Sequence, residues 1–183
     1  MAVNKPTNRT KKTIDPIQFE VVRSALIQVT EEMAAALRRS AYSTNVKTRQ
    51  DFSCAFFDRN CRPVSQAFTQ PVHLGSFVEL IPTSVMNYGA DNLEPGDMLV
   101  VNNPFGGGSH LNDVTVFGPV HQNGELIGYV ASLAHHVDVG GGAPASIGPF
   151  REIFQEGIII PPVKLVKRGE INEDLFKKII RRD

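Results

Sequence analysis

Val114-Thr115-Val116-Phe117 and Leu126-Ile127-Gly128-Tyr129-Val130-Ala131, with His121-Gln122-Asn123-Gly124-Glu125 between them, read as two antiparallel strands joined by a tight turn. Asn-Gly favours the positive φ values of a two-residue hairpin turn, and the flanks carry the β-branched and aromatic residues that suit a pleated surface. A hairpin brings the start of one strand beside the end of the next. His110 and Asp113 stand at the start of the first strand, and His135 ends the second. Two imidazoles and one carboxylate are therefore expected at one end of the hairpin. That donor set holds many catalytic divalent metals and leaves positions open for water or substrate.

His110, Asp113 and His135 are thus the candidate metal ligands. His136 is expected on the opposite face, because side chains alternate along a strand. Asp138 shares its face, so His136 and Asp138 are the candidates for catalytic support, by contacting substrate or orienting an imidazole. Gly106-Gly107-Gly108 and Gly140-Gly141-Gly142 flank the cluster. Neither run fits G-x-x-x-x-G-K-[ST] or G-x-G-x-x-G, so tight turns around a small-molecule pocket are expected in place of a phosphate cradle. His73, in Pro71-Val72-His73-Leu74-Gly75-Ser76, fits either a buried core histidine or the lining of the same pocket. His121 is expected in an exposed turn, and Glu152, Gln155 and Glu156 in a solvated one.

Outward from the cluster, Asp15 and Pro16 signal a helix start. Ile17, Val22, Leu26, Val29, Met33 and Leu37 recur at helical spacing to about Ala41. Phe52 to Phe57 and Pro63 to Ala67 predict a second hairpin around Asp58-Arg59-Asn60. Val72 to Ser76 reads as a separate ordered piece, Val78 to Tyr88 as a helix broken by Pro82, and Met98 to Val101 as a strand. Ile158 to Val163 is apolar and extended. Asn172 caps a helix from Glu173 to Arg182, after which the sequence stops abruptly, as a partial polypeptide would. The expected fold class is α+β, with a long N-terminal helix packed on a mainly antiparallel sheet and a C-terminal helix. Residues 1–14 are expected to be a flexible tail.

The 183 residues are 42% hydrophobic and 21% charged, an ordinary globular balance. Nineteen Lys and Arg residues offset 19 Asp and Glu, which argues against a polyanion-binding surface and so against nucleic acid. No apolar run has membrane-spanning length and no signal-peptide core is visible, so a cytoplasmic protein with no membrane association is expected. Cys54 and Cys61 then read as reduced thiols. The lack of a G-x-S-x-G elbow speaks against serine nucleophile chemistry.

Taken together, several motifs resemble the hydantoinase B/5-oxoprolinase family. They are Asp51-Phe52-Ser53-Cys54-Ala55, Pro71-Val72-His73-Leu74-Gly75-Ser76, Asn102 through Asp113, and Ala134-His135-His136-Val137-Asp138-Val139-Gly140-Gly141. Ile153-Phe154-Gln155-Glu156-Gly157, Pro161 through Leu165 and Gly169 through Leu175 continue the match. The family includes B-type subunits of N-methylhydantoinase and caprolactamase, and is similar to alpha-type subunits of acetone and acetophenone carboxylases. The resemblance implies that residues 15–183 form the N-terminal part of a hydantoinase B-like domain. It also implies a divalent metal, zinc or manganese, held by the H-x-x-D…H pattern that His110, Asp113 and His135 match. An A-type partner subunit would bind ATP with magnesium and phosphorylate a cyclic amide, a lactam, hydantoin or 5-oxoproline, within a hetero-oligomer. Water near the metal and Asp138 would then open the ring. An ATP-dependent ketone carboxylase and a non-catalytic assembly piece are the alternatives. Asn103 stands where many relatives have aspartate, and family chains are longer.

Overall fold

In the structure, a computed structural model that describes residues 14–180, Asp15 caps α1 (Pro16–Ser40) by accepting a hydrogen bond from the Ile17 amide. Pro16 sits in the first turn, where its missing N–H costs nothing. The tail expected over residues 1–14 lies, apart from Ile14, outside the described residues. The apolar stripe of α1 is only partly used. Thr30 and Ala34 are buried and Leu26, Met33 and Leu37 half-buried, whereas Ile17, Val22 and Val29 remain exposed. Only the C-terminal half of the helix finds a surface to pack on.

After the single turn α2 (Thr44–Lys47), β1 (Phe52–Asp58) and β2 (Pro63–Gln66) form the expected hairpin. Asp58 closes its turn by accepting hydrogen bonds from the Asn60 and Arg62 amides. The next segment departs from expectation. Residues 71–88 form one helix, α3 (Pro71–Tyr88), that runs through Pro82. Proline removes one backbone hydrogen bond and costs roughly 3 kcal/mol inside a helix. Here Phe77, Leu80, Ile81 and Val85 are buried on either side of it, and burying four such side chains outweighs that cost.

β3 (Met98–Val101), β4 (Asp113–Gln122), β5 (Glu125–His135), β6 (Val163–Lys167) and β7 (Glu170–Ile171) complete the strands, and α4 (Glu173–Ile180) follows. Asn172 caps α4 through Oδ1, which accepts from the Leu175 amide. The β4–β5 turn has Asn123 at φ 53° and Gly124 at φ 82°, the left-handed pair that an Asn-Gly hairpin uses. His121 lies in β4, not in the turn. Among the described residues the seven strands pair antiparallel in the order β2-β1-β5-β4-β3-β6-β7.

The pleat sends alternate residues to two cores. Ala55, Phe57, Leu99, Val101, Phe117, Tyr129, Ala131 and Leu133 pack with Phe77, Leu80 and Ile81 of α3. Phe52 and Cys54 pack on the other face with Ala34, Met33 and Leu37 of α1. The fold is α+β, helices on both faces of one antiparallel sheet. The site depends on the pairing of β1 with β5, residues far apart in sequence, which sets Phe52 opposite Ala134.

Candidate metal centre

Asp113 opens β4 and His135 ends β5, and the two are paired in register. His110 reaches the same point because the chain turns tightly before the strand, with the Asp113 amide donating to the His110 carbonyl at 3.1 Å. Asp113 Oδ1 lies 3.0 Å from His110 Nε2 and 3.0 Å from His135 Nδ1. The two ring nitrogens are 3.2 Å apart, and the rings stack with centroids 4.9 Å apart and planes at 27°. Among the described residues these three are the only histidine, cysteine or acidic group whose donor atoms converge closely enough to hold an ion.

The donor set fits a divalent metal. Edges of this length are those of donors that share one ion at bonds of about 2.0–2.2 Å. Two imidazole nitrogens facing each other and one carboxylate oxygen also leave lone pairs that a single cation satisfies together. Asp113 is buried, and His135 nearly so, while 38% of the His110 side chain is exposed. The triangle is therefore closed from below and open on one side. Burial would raise the Asp113 pKa, but hydrogen bonds from His110 and Ser109 and the charges of His110 and His73 hold it down at about 2. The hydrogen bond to Asp113 in turn raises that of His110, more than burial lowers it. The carboxylate is thus ionised throughout the physiological range.

Two residues that sequence reasoning left undecided or missed belong here. His73, in the first turn of α3, is 3% exposed. Its Nε2 faces Asp113 Oδ2 at 3.7 Å and Asp51 Oδ1 at 3.6 Å, and its Nδ1 lies 3.3 Å from Ser53 Oγ. His73 is thus buried, and it also stands beside the triad. Asp51 brings a second carboxylate to the triad, and its carbonyl accepts from the His135 amide at 3.0 Å. The signal for Asp51 was its place just before β1, but only the β1–β5 pairing carries it to His135.

The loop that presents His110 is anchored by Asn102, which is fully buried. Its Nδ2 donates to the carbonyls of Leu111 and Ile158, at 2.8 and 2.9 Å, and its Oδ1 accepts from the Ile160 amide at 2.7 Å. Asn103 caps the short turn Pro104–Gly106 by accepting from the Phe105 amide, a task its carboxylate counterpart performs equally well. Gly107 has φ 100°, and a β-carbon there would come within 2.6 Å of the Leu80 amide of α3. The second glycine run lets residues 139–142 lie directly on residues 155–158, with Gly140 bridging Gly157. In that partner segment Gln155 Oε1 accepts from the Arg151 and Glu152 amides. Both glycine runs thus serve close backbone apposition.

His136 and Asp138 share a face, as read from sequence, and line a cleft of about 230 Å³ with Val100, Val114, Val116 and Phe176. Val114 and Val116 alternate with Asp113 and Thr115, so this cleft opens on the sheet face opposite the triad. His136 is exposed where it borders the cleft, and desolvation by the surrounding atoms and the His135 charge hold its pKa below the ordinary value. Asp138 Oδ1 accepts from the Gly140 amide at 2.7 Å.

The arrangement of helices and sheet recurs in known proteins. Residues 15–183 match the family described as hydantoinase B/oxoprolinase. The chain belongs to that family. An uncharacterised protein of Methanocaldococcus jannaschii is 45% identical over 91% of the chain and 30% of its own length. 5-Oxoprolinase 1 of Arabidopsis thaliana is 39% identical over 91% of the chain and 13% of its own. The beta subunit of caprolactamase from Pseudomonas jessenii is 35% identical over 92% of the chain and 29% of its own. The crystal structure of that ATP-dependent caprolactamase superposes with a TM-score of 0.75 over 92% of this chain and 29% of its own, at 34% identity. Acetone carboxylase in its nucleotide-free state superposes at 0.84 over 91% of the chain and 22% of its own, with 21% identity, a likeness of fold. The chain spans less than a third of the length of these relatives.

Proposed function

We propose that this chain is the metal-bearing part of an ATP-dependent amidohydrolase that opens a cyclic amide of the lactam, hydantoin or 5-oxoproline kind. The observation that carries the proposal is the triangle of His110 Nε2, Asp113 Oδ1 and His135 Nδ1, in a chain whose relatives include 5-oxoprolinases and a caprolactamase subunit. His110, Asp113 and His135 would hold a divalent ion, zinc or manganese. When bound, such an ion polarises a carbonyl or phosphoryl oxygen and lowers the pKa of a coordinated water. Asp113, ionised and buried, keeps both imidazoles turned inward. Asp51, at the rim, is placed to orient water or a substrate N–H beside the triad. His136 and Asp138 would contact substrate from the opposite cleft, and because strand alternation turns Asp138 away from the triad, Asp51 would handle water in its place.

Neither glycine run has the spacing of a phosphate loop, so the nucleotide is assigned, with magnesium, to an A-type partner in a hetero-oligomer, as the name of the caprolactamase beta subunit suggests. Among the described residues no helix is long and apolar enough to cross a membrane; a cytoplasmic setting belongs to the same proposal. The test combines metal analysis of the purified full chain with ATP turnover, in the presence of its partner, across lactams and hydantoins and across ketone plus bicarbonate. One bound divalent ion and lactam- or hydantoin-dependent turnover are expected. Turnover with ketone alone would establish the carboxylase reading instead. Absence of stoichiometric metal, with His110→Ala leaving turnover unchanged, would refute a catalytic metal and favour an assembly role.

A further inference from the structure

We infer that His73 is a positioning residue for the metal centre: its imidazole, anchored by Ser53, stands between the carboxylates of Asp51 and Asp113 and spaces them so that Asp113 presents Oδ1 to His110 and His135. The inference rests on reading those three residues as ligands. His73 is buried in the first turn of α3, yet both ring nitrogens face polar groups from other elements. An imidazole kept only for packing would leave Nδ1 unpartnered, at a desolvation cost that an apolar residue avoids.

The Nδ1 side is held by a short relay. Thr69 Oγ1 donates to Ser53 Oγ at 3.0 Å, and Ser53 Oγ lies 3.1 Å from the Gln70 carbonyl and 3.3 Å from His73 Nδ1. This relay ties β1 to the N-terminus of α3 and fixes the ring plane. On the Nε2 side the two carboxylate oxygens stand at 3.6 and 3.7 Å, beyond direct hydrogen-bond length. The ring therefore acts there as a steric spacer between two acidic groups. Ser109 hydrogen-bonds to Asp113 Oδ2, the oxygen that His73 faces, and Oδ1 is left for the histidines. Groups that orient a metal ligand in this way typically alter affinity about 10- to 100-fold when removed.

Two substitutions separate positioning from packing. Asn at position 73 still reaches Ser53 but not the carboxylates, whereas Gln carries its amide nitrogen to about the place of Nε2. With cobalt(II) as the probe and the full chain in each case, His73→Asn is expected to weaken binding about 10- to 100-fold and shift the visible absorption bands. His73→Gln is expected to recover most of the affinity, with metal-free melting temperatures of the two variants alike. Equal affinity and identical bands in wild type and both variants would overturn the role of His73 alone. Equal losses in Asn and Gln would also overturn it. Should His73→Asn fail to fold, Ser53→Ala replaces it: weaker binding with shifted bands supports positioning, and unchanged binding sinks it. A wild-type chain that takes up no divalent ion would fail at the earlier step, removing the metal centre itself.

Discussion

Asn102→Ala is expected to be among the most damaging single changes outside the triad. The side chain is fully buried and serves three backbone groups: the carbonyls of Leu111 and Ile158 and the amide of Ile160. Truncation leaves all three without that partner in a place closed to bulk water. An orphaned buried group costs about 1–3 kcal/mol. Allowing the two carbonyls partial relief elsewhere, the sum is about 3–5 kcal/mol, which corresponds to a fall in melting temperature of about 10 °C for a chain of this size. The more telling variant is Asn102→Asp, nearly the same shape. Its carboxylate still accepts from the Ile160 amide, but it turns a second oxygen toward two carbonyls in place of an N–H₂ donor. It should therefore match Ala in damage, not wild type. Urea unfolding of the metal-free full chain measures stability, and a cobalt(II) titration measures the site, because the Leu111 carbonyl lies on the loop that presents His110. If Asn102→Asp unfolds at the wild-type urea concentration with wild-type metal affinity, Asn102 is not the anchor of that loop.

Four further outcomes are expected. Asp113→Asn removes the anionic donor, so metal content measured after gel filtration should fall to background; retention of a full equivalent would refute the ligand assignment. In the metal-free chain, the folded pKa of Asp113 lies below its ordinary value of 3.8, at about 2. Its stabilisation is therefore full above the ordinary value and lost as pH falls through the folded one, about 2 kcal/mol in all; acid melts of wild type should be steeper than those of Asp113→Asn. Asp97 acts in the same direction: burial would raise its pKa, but Lys164 and the Glu94 and Arg168 amides lower it, so Asp97→Asn should also flatten the acid limb in thermal melts between pH 5 and 2. Gly107→Ala puts a β-carbon against the Leu80 amide in a left-handed backbone, a strain of at least about 1–2 kcal/mol. A lower melting temperature and weaker metal binding together are expected, and an unchanged variant would show that the loop does not lean on α3.

The limits of sequence reading trace to particular residues. The β4–β5 hairpin was legible because Asn123-Gly124 encodes its own turn and the flanks alternate locally. The convergence of His110, Asp113 and His135 was legible for the same reason, since all three hang on that hairpin. Pro82 misled, because the local cost of proline is visible in sequence while the burial of Phe77, Leu80, Ile81 and Val85 that offsets it is not. The stripe on α1 misled in the opposite way: Ile17 and Val22 have the spacing of a packing face but no sheet to meet.

Local chemistry thus determined the helix caps, the two hairpins and the convergence of His110, Asp113 and His135, each of which depends on residues close in the chain, and the pattern of these elements made the α+β class legible. Tertiary structure alone decided the pairing of β1 with β5, and through it the arrival of Asp51 and His73 at the triad. It also decided which face of the sheet His136 and Asp138 would occupy relative to the covering helices. These follow from contacts between residues distant in the chain, whose closure costs are repaid only when both helices and the whole sheet bury their apolar faces together.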